Sequence, residues 1–201
     1  MHDRICPQCC GEQREITLDC PSECSYLQQA RQHDKPRSLE QIPAEELFPK
    51  IDISEEFLQN HEPLLVGVSN VVARVSYADR ALTDREVIGA LVILAKSYQT
   101  LIGSGLVYQE ALPNLAQTVL IGELNKLVSE FEELEEKHLG YTSLKDGDVL
   151  KMLVFFIRLG QSRTSGRPRS RAFLDFLKAQ FPEARQGIAA TAEAESRIIL
   201  P

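Results

Sequence analysis

The five cysteines of this chain are the residues whose type and spacing point most clearly to chemistry. All of them lie between positions 6 and 24 of a chain of 201 residues. They form two clusters, Cys6-Pro7-Gln8-Cys9-Cys10-Gly11 and Cys20-Pro21-Ser22-Glu23-Cys24. Paired thiolates at such short spacings are typical ligands of structural zinc. We therefore predict one zinc ion per chain, bound by Cys6, Cys9, Cys20 and Cys24.

Two adjacent cysteines, Cys9 and Cys10, compete for the second ligand position. Pro7 fixes one backbone angle, so the chain is expected to curl until the sulfurs of Cys6 and Cys9 point to one side. Gly11 is expected to take a positive φ, which would let the chain leave the turn. We take Cys9 as the ligand and keep Cys10 as its alternative.

The second cysteine pair is expected at the start of a helix. The pattern of Ser25 to His33 is helical, and a helix N-terminus favours the negative charge of thiolates. Between the two pairs, residues 14–19 alternate in polarity, which predicts a short strand. A knuckle, a strand and a helix start in this order resemble a zinc-ribbon or treble-clef module, and the resemblance covers about 30 residues.

Two alternatives to zinc remain for the cysteines, because thiolates also bind iron–sulfur clusters and take part in redox exchange. Disulfides fit poorly, since the number of cysteines is odd and the N-terminus has no apolar stretch typical of a secretory signal. We expect a cytoplasmic protein, where thiols stay reduced. No run of 18 apolar residues occurs, so we expect no membrane contact.

A concentrated group of arginines is the second unusual feature in a chain whose net charge is −7. Its members, with no acidic residue between them, are Arg158, Arg163, Arg167, Arg169 and Arg171. The planar guanidinium fork binds two oxygens of a phosphate, so this arginine loop is a candidate site for phosphate, nucleic acid or an acidic partner. The alternative is an ordinary interhelical loop whose arginines pair with the acidic helix near Glu132–Glu136.

The rest of the chain predicts a mainly α fold with a bundle of about five helices. Helix starts are indicated by Ser54, by the capping box Thr83–Glu86, by Pro113, by Ser143 and by Pro168. Pro63 is expected to kink or divide the first of these helices. We predict a zinc-binding module at 1–34, a hinge at 35–53, the helical bundle at 54–182 and a flexible tail at 183–201.

Catalytic signatures are missing from the sequence, since it contains no G-x-S-x-G, H-E-x-x-H, phosphate-loop or dinucleotide motif. This favours a non-enzymatic, zinc-binding interaction or regulatory protein whose partner is another protein. The first alternative is nucleic-acid or phosphate binding through Arg158–Arg171. The second is an iron–sulfur or thiol redox protein.

Overall fold

The computed structural model describes residues 5–34, 38, 42, 47–106 and 114–184. Within these ranges the chain forms eight α-helices and no β-strand. The helices are α1 (Pro7–Gln13), α2 (Ser25–His33), α3 (Glu55–Asn60), α4 (Glu62–Ala78), α5 (Asp84–Ser104), α6 (Leu115–Leu139), α7 (Asp146–Arg163) and α8 (Ala172–Gln180). The predicted mainly α bundle is thus confirmed.

Several helix boundaries follow the local signals in the sequence. The Ser54 side chain accepts the backbone N–H of Phe57 and caps α3, and the chain is divided at His61, just before Pro63 in the first turn of α4. Thr83 and Glu86 form the expected capping box at the start of α5. Helix α5 ends at a glycine in the left-handed conformation, Gly105, with φ of 69°.

Helix α5 is central to the bundle. It packs against α6, α7 and α8, while α4 packs against α6 and α8 from another side. The continuous core between them consists mainly of leucine, valine and isoleucine, and Phe156 and Phe173 are its largest fully buried side chains. Burial of this apolar surface is the main force that holds the helices together.

One described helix, α5, is long and apolar enough to cross a membrane by length and composition alone. A core helix of a bundle can have the same composition, and about a third of this stretch of α5 is buried. The sequence-based expectation that the chain makes no membrane contact stays a prediction.

The predicted strand at residues 14–19 is wrong. Helix α1 runs to Gln13, and the next residues form a tight turn in which the N–H groups of Ile16, Thr17 and Leu18 all donate to the Gln13 carbonyl. A lone extended segment has no second strand to satisfy its backbone groups, whereas this turn satisfies them locally. The knuckle expectation also fails at Gly11, which lies inside α1, and the positive φ falls on Glu15 instead (55°).

The predicted hinge at 35–53 is described in part, at 38, 42 and 47–53. Phe48 belongs to the bundle core, and Ile51 and Ile53 pack against that core. The predicted tail lies outside the described residues from 185 onward. The boundaries of the predicted domains therefore stay predictions, with the addition that the end of the predicted hinge contributes to the core.

Candidate metal centre

Cys6 and Cys9 lie together at the start of α1. Cys6 caps this helix, and its Sγ accepts the backbone N–H of Cys9 at 3.1 Å. The two thiols are also hydrogen-bonded to each other, and this bond lowers the pKa of Cys6 and raises that of Cys9. Both side chains are exposed. Of these two exposed thiols, that of Cys6 therefore loses its proton more easily than that of Cys9.

Cys20 and Cys24 lie at the start of helix α2, just before its first turn. Helix α2 spans Ser25 to His33 as predicted, but Cys24 is its capping residue and Cys20 precedes it in a non-helical segment. The backbone N–H of Cys24 donates to the Pro21 carbonyl at 2.9 Å, which closes a turn before the helix. The second pair thus lies before the first helical turn, because Pro21 and the turn set the helix start four residues later.

The two cysteine pairs are not joined in the part of the chain that the structure describes. There, no group of three or more histidine, cysteine, aspartate or glutamate side chains is close enough to hold a metal ion. All five cysteines are free thiols. Cys10 lies on α1, where its backbone N–H donates to the carbonyl of Cys6. The thiol to which Cys6 is hydrogen-bonded is that of Cys9.

The donor set fits a thiophilic metal in part. The Cys9 N–H that reaches the Cys6 sulfur stabilises a thiolate there, and thiolates are the ligands that zinc and iron–sulfur clusters prefer. Cys6 and Cys9 would supply two of the four ligands. A closed four-thiolate shell requires Cys20 and Cys24 to join them.

Arg158, the first residue of the arginine loop, has a structural task. Its guanidinium on α7 donates to the carbonyls of Leu47, Phe48 and Ile51 at 2.7–2.9 Å. These carbonyls belong to the segment that leads into α3, so Arg158 fixes that segment against the bundle. This arginine is occupied within the chain.

The other arginines of the loop also find partners away from the acidic helix near Glu132–Glu136. Arg163 lies over the Phe176 ring at 4.3 Å, and Arg167 donates to the Arg14 carbonyl at 2.7 Å. Arg171 is buried and reaches Ser76. The Arg169 side chain is exposed, while its backbone N–H donates to the Glu15 carbonyl at 2.8 Å. The solvent-facing side chains of this group are those of Arg163 and Arg169.

Glu15 is the residue that sequence reasoning missed. It is only 4% exposed and adopts a positive φ, which is unusual for a residue with a side chain. Its carboxylate accepts hydrogen bonds from Arg31 at 2.8 Å and from the Ser165 hydroxyl at 2.9 Å. No local signal distinguishes this acid from the others, because its partners come from α2 and from the loop that precedes α8.

Asp175 on α8 completes the attachment of the cysteine segment, residues 5–34, to the bundle. Its carboxylate accepts from Arg31 at 2.6 Å and from the Ser22 hydroxyl at 2.8 Å. Arg31 therefore bridges two carboxylates, Glu15 and Asp175. The arginine loop and α8 act as the platform on which the cysteine segment docks.

No family model, curated protein or solved structure matches this chain. Two features of the cysteine segment bear on the function of the chain. One is the Cys6–Cys9 pair, and the other is the docking of the surrounding segment through Glu15 and Arg31.

Proposed function

We propose that this chain is a non-enzymatic interaction protein whose cysteine segment binds one zinc ion. The observation that carries the proposal is the pairing of Cys6 with Cys9, in which one backbone N–H and one thiol both donate to the same sulfur. Zinc would hold the cysteine segment in one conformation by linking this pair to Cys20 and Cys24. Metal binding and local folding are coupled in such small thiolate sites.

The expected partner is another protein that contacts the outer surface of the cysteine segment. Large apolar side chains are exposed there, namely Ile5 at 47%, Ile16 at 42% and Tyr26 at 67%. Aromatic and aliphatic side chains at a surface are the kind of group that interfaces bury. Other residues of the segment, Glu15, Ser22 and Arg31, contact the bundle.

Metal analysis of serine variants tests the proposal. The wild-type chain and Cys10→Ser should contain one zinc per chain, whereas Cys6→Ser, Cys9→Ser, Cys20→Ser and Cys24→Ser should lose it, because each removes one of four ligands. Protein purified without air should be used, and Cys10→Ser is the matched control. Absence of metal from the wild type would refute the proposal. Loss of zinc from Cys10→Ser but not from Cys9→Ser would show that Cys10, and not Cys9, is the ligand.

A thiol redox function is a second candidate, favoured by the lowered pKa of Cys6 next to the Cys9 thiol. The Cys6 thiolate would attack a disulfide of a substrate protein and form a mixed disulfide, releasing one substrate thiol. The Cys9 sulfur, after losing its proton, would then displace the second substrate thiol. The products are a Cys6–Cys9 disulfide and a reduced substrate, so two electrons pass to the substrate.

Activity and absorption separate the candidates. The redox function requires that a test disulfide is reduced by the wild type and by Cys10→Ser, but not by Cys6→Ser. A brown protein that absorbs visible light would indicate an iron–sulfur cluster instead of zinc. Nucleic-acid binding through the arginine loop would depend on its solvent-facing members, and a salt-dependent gel shift that is lost in an Arg163→Ala, Arg169→Ala double variant tests it.

A further inference from the structure

A cavity of about 760 Å³ lies between the cysteine segment, the C-terminal end of α4 and helix α8. Three cations line it, namely Arg80, which follows α4, Arg171, which precedes α8, and Lys178 on α8. Hydroxyl groups of Ser22, Ser76 and Tyr77 also line it. Its volume is in the range of sites that hold small molecules.

Arg171 is the most unusual of the three cations. It is 8% exposed, and its side chain makes long hydrogen bonds from Nη2 to the carbonyl and hydroxyl oxygens of Ser76, at 3.3 and 3.5 Å. Its Nε–H has no hydrogen-bond partner, and among the described residues no carboxylate forms an ion pair with it. A buried guanidinium without a counter-charge is unfavourable, so this arrangement favours a bound anion.

The single carboxylate deep in this region is already in use. Asp175 accepts from Ser22 and Arg31 and lies 3.8 Å from Nζ of Lys178. Burial, and then the charge of Arg171, lower the pKa of Lys178. The ion pair of Lys178 with Asp175 therefore does not offset the cost of burying the Lys178 charge near Arg171.

The cavity mouth adds a third cation. Arg80 is exposed and makes no hydrogen bond or ion pair with any residue that the structure describes. Two acids, Asp19 and Glu23, also line the cavity, but both are exposed and neither forms an ion pair with the three cations in the described structure. The side chains with unused donors are thus Arg80 and Arg171, with Lys178 beside them.

We propose that this cavity binds a small oxyanion ligand, a molecule with a phosphate or carboxylate group, through Arg171, Lys178 and Arg80. Arg171 offers the planar fork that binds two oxygens of one group, and Lys178 adds a point charge. The site differs from the arginine loop predicted from the sequence, since two of its three cations come from outside that loop. Of the proposed zinc ligands, Cys20 lines the cavity, whereas Cys6, Cys9 and Cys24 do not.

Calorimetric titration with inorganic phosphate and, separately, with succinate tests this site at constant ionic strength. Saturable binding of at least one anion is expected, and Arg80→Gln and Lys178→Gln should weaken it by about tenfold or more. Arg85→Gln is the matched control, because Arg85 is also an exposed arginine but does not line the cavity. Arg171→Lys keeps the charge and loses the fork, so it should weaken binding while circular dichroism shows an unchanged helix content.

Binding of phosphate alone would assign phosphorylated ligands, and binding of succinate alone would assign carboxylates. No saturable binding of either anion would overturn the proposal, as would an equal loss in Arg85→Gln and Arg80→Gln. The variants leave all five cysteines unchanged, so they are not expected to alter the zinc content. Zinc analysis of the same protein samples therefore distinguishes failure of anion binding from failure of zinc binding.

Discussion

The carboxylate of Glu15 and the guanidinium of Arg31 form an ion pair at 2.8 Å, in which the Glu15 side chain is only 5% exposed. The same guanidinium reaches Asp175 on α8 at 2.6 Å. Through the Ser165 hydroxyl, Glu15 also contacts the loop between α7 and α8. This relationship connects the segment that carries the cysteines with the end of the bundle.

Replacing Glu15 by glutamine should detach the cysteine segment from the bundle. The variant removes the buried charge that faces Arg31 and Ser165, and loss of one partner from such a pair costs roughly 2–4 kcal/mol. Urea unfolding and limited proteolysis within residues 5–34 are the measurements. Glu12→Gln, which changes an exposed acid on α1, should stay within about 0.5 kcal/mol of the wild type. Equal stability of Glu15→Gln and the wild type would show that the ion pair does not hold the segment.

Two members of the arginine loop should differ sharply in their effect on stability. Arg158→Ala removes a guanidinium that binds the carbonyls of Leu47, Phe48 and Ile51, and such charge-assisted hydrogen bonds contribute roughly 1.5–3 kcal/mol each at most. Arg169→Ala removes an exposed side chain and should change the free energy of unfolding by less than about 0.5 kcal/mol. Thermal unfolding of both variants checks this, and a larger loss in Arg169→Ala would contradict the structural assignment.

Asp84 should make stability depend on pH. Asp84 is the first residue of α5 and is fully buried. Its carboxylate lies at the N-terminus of α8, where it accepts from the Ser170 hydroxyl and from the N–H groups of Phe173 and Leu174. Burial raises its pKa above the ordinary value of 3.8. The folded chain then holds this proton more tightly than the unfolded chain, so Asp84 should lower the free energy of unfolding as pH rises from about 4 toward the folded pKa.

Comparison of the wild type with Asp84→Asn isolates that effect, because the variant cannot titrate at this position. Between about pH 4 and the folded pKa of Asp84, the unfolding free energy of the wild type should fall with rising pH relative to that of Asp84→Asn. Asp79→Asn, which alters a carboxylate bound to the Ala81 N–H in an exposed turn, is the matched control. A difference that is independent of pH, or that shifts in favour of the wild type, would contradict the raised pKa.

The bundle should fold without the first 34 residues. Its continuous core contains residues from Phe48 to Leu177 and none from the cysteine segment. A chain that starts at Ser38 should keep its helical circular dichroism spectrum and melt cooperatively, at a temperature lowered by the loss of the Arg31 and Ser22 contacts with Asp175. Aggregation or loss of helix content in that chain would show that the two parts share one core.

Local signals in the sequence were sufficient for several helix boundaries. The Thr83–Glu86 capping box and the division before Pro63 depend on side chains within a few residues of the boundary. Helix α2 was predicted at its observed bounds for the same reason. The starts predicted at Ser143 and Pro168 lie three and four residues before α7 and α8 begin. The strand at 14–19 failed because alternation alone does not supply a second strand, and the Gln13 carbonyl captured the neighbouring N–H groups instead.

The cysteine clusters, the arginines and the helical periodicity are properties of neighbouring residues, so they can be read from the sequence. Which of these side chains find partners within the chain depends on the tertiary structure. Arg158 binds carbonyls more than 100 positions away, and Glu15 meets Ser165 at a separation of 150. Which residues are buried, and which distant residues contact each other, depends on how the helices pack. Neither can therefore be read from local spacing in the sequence. For the same reason, the cavity lined by Arg80, Arg171 and Lys178 emerged only when α4, α8 and the cysteine segment came together.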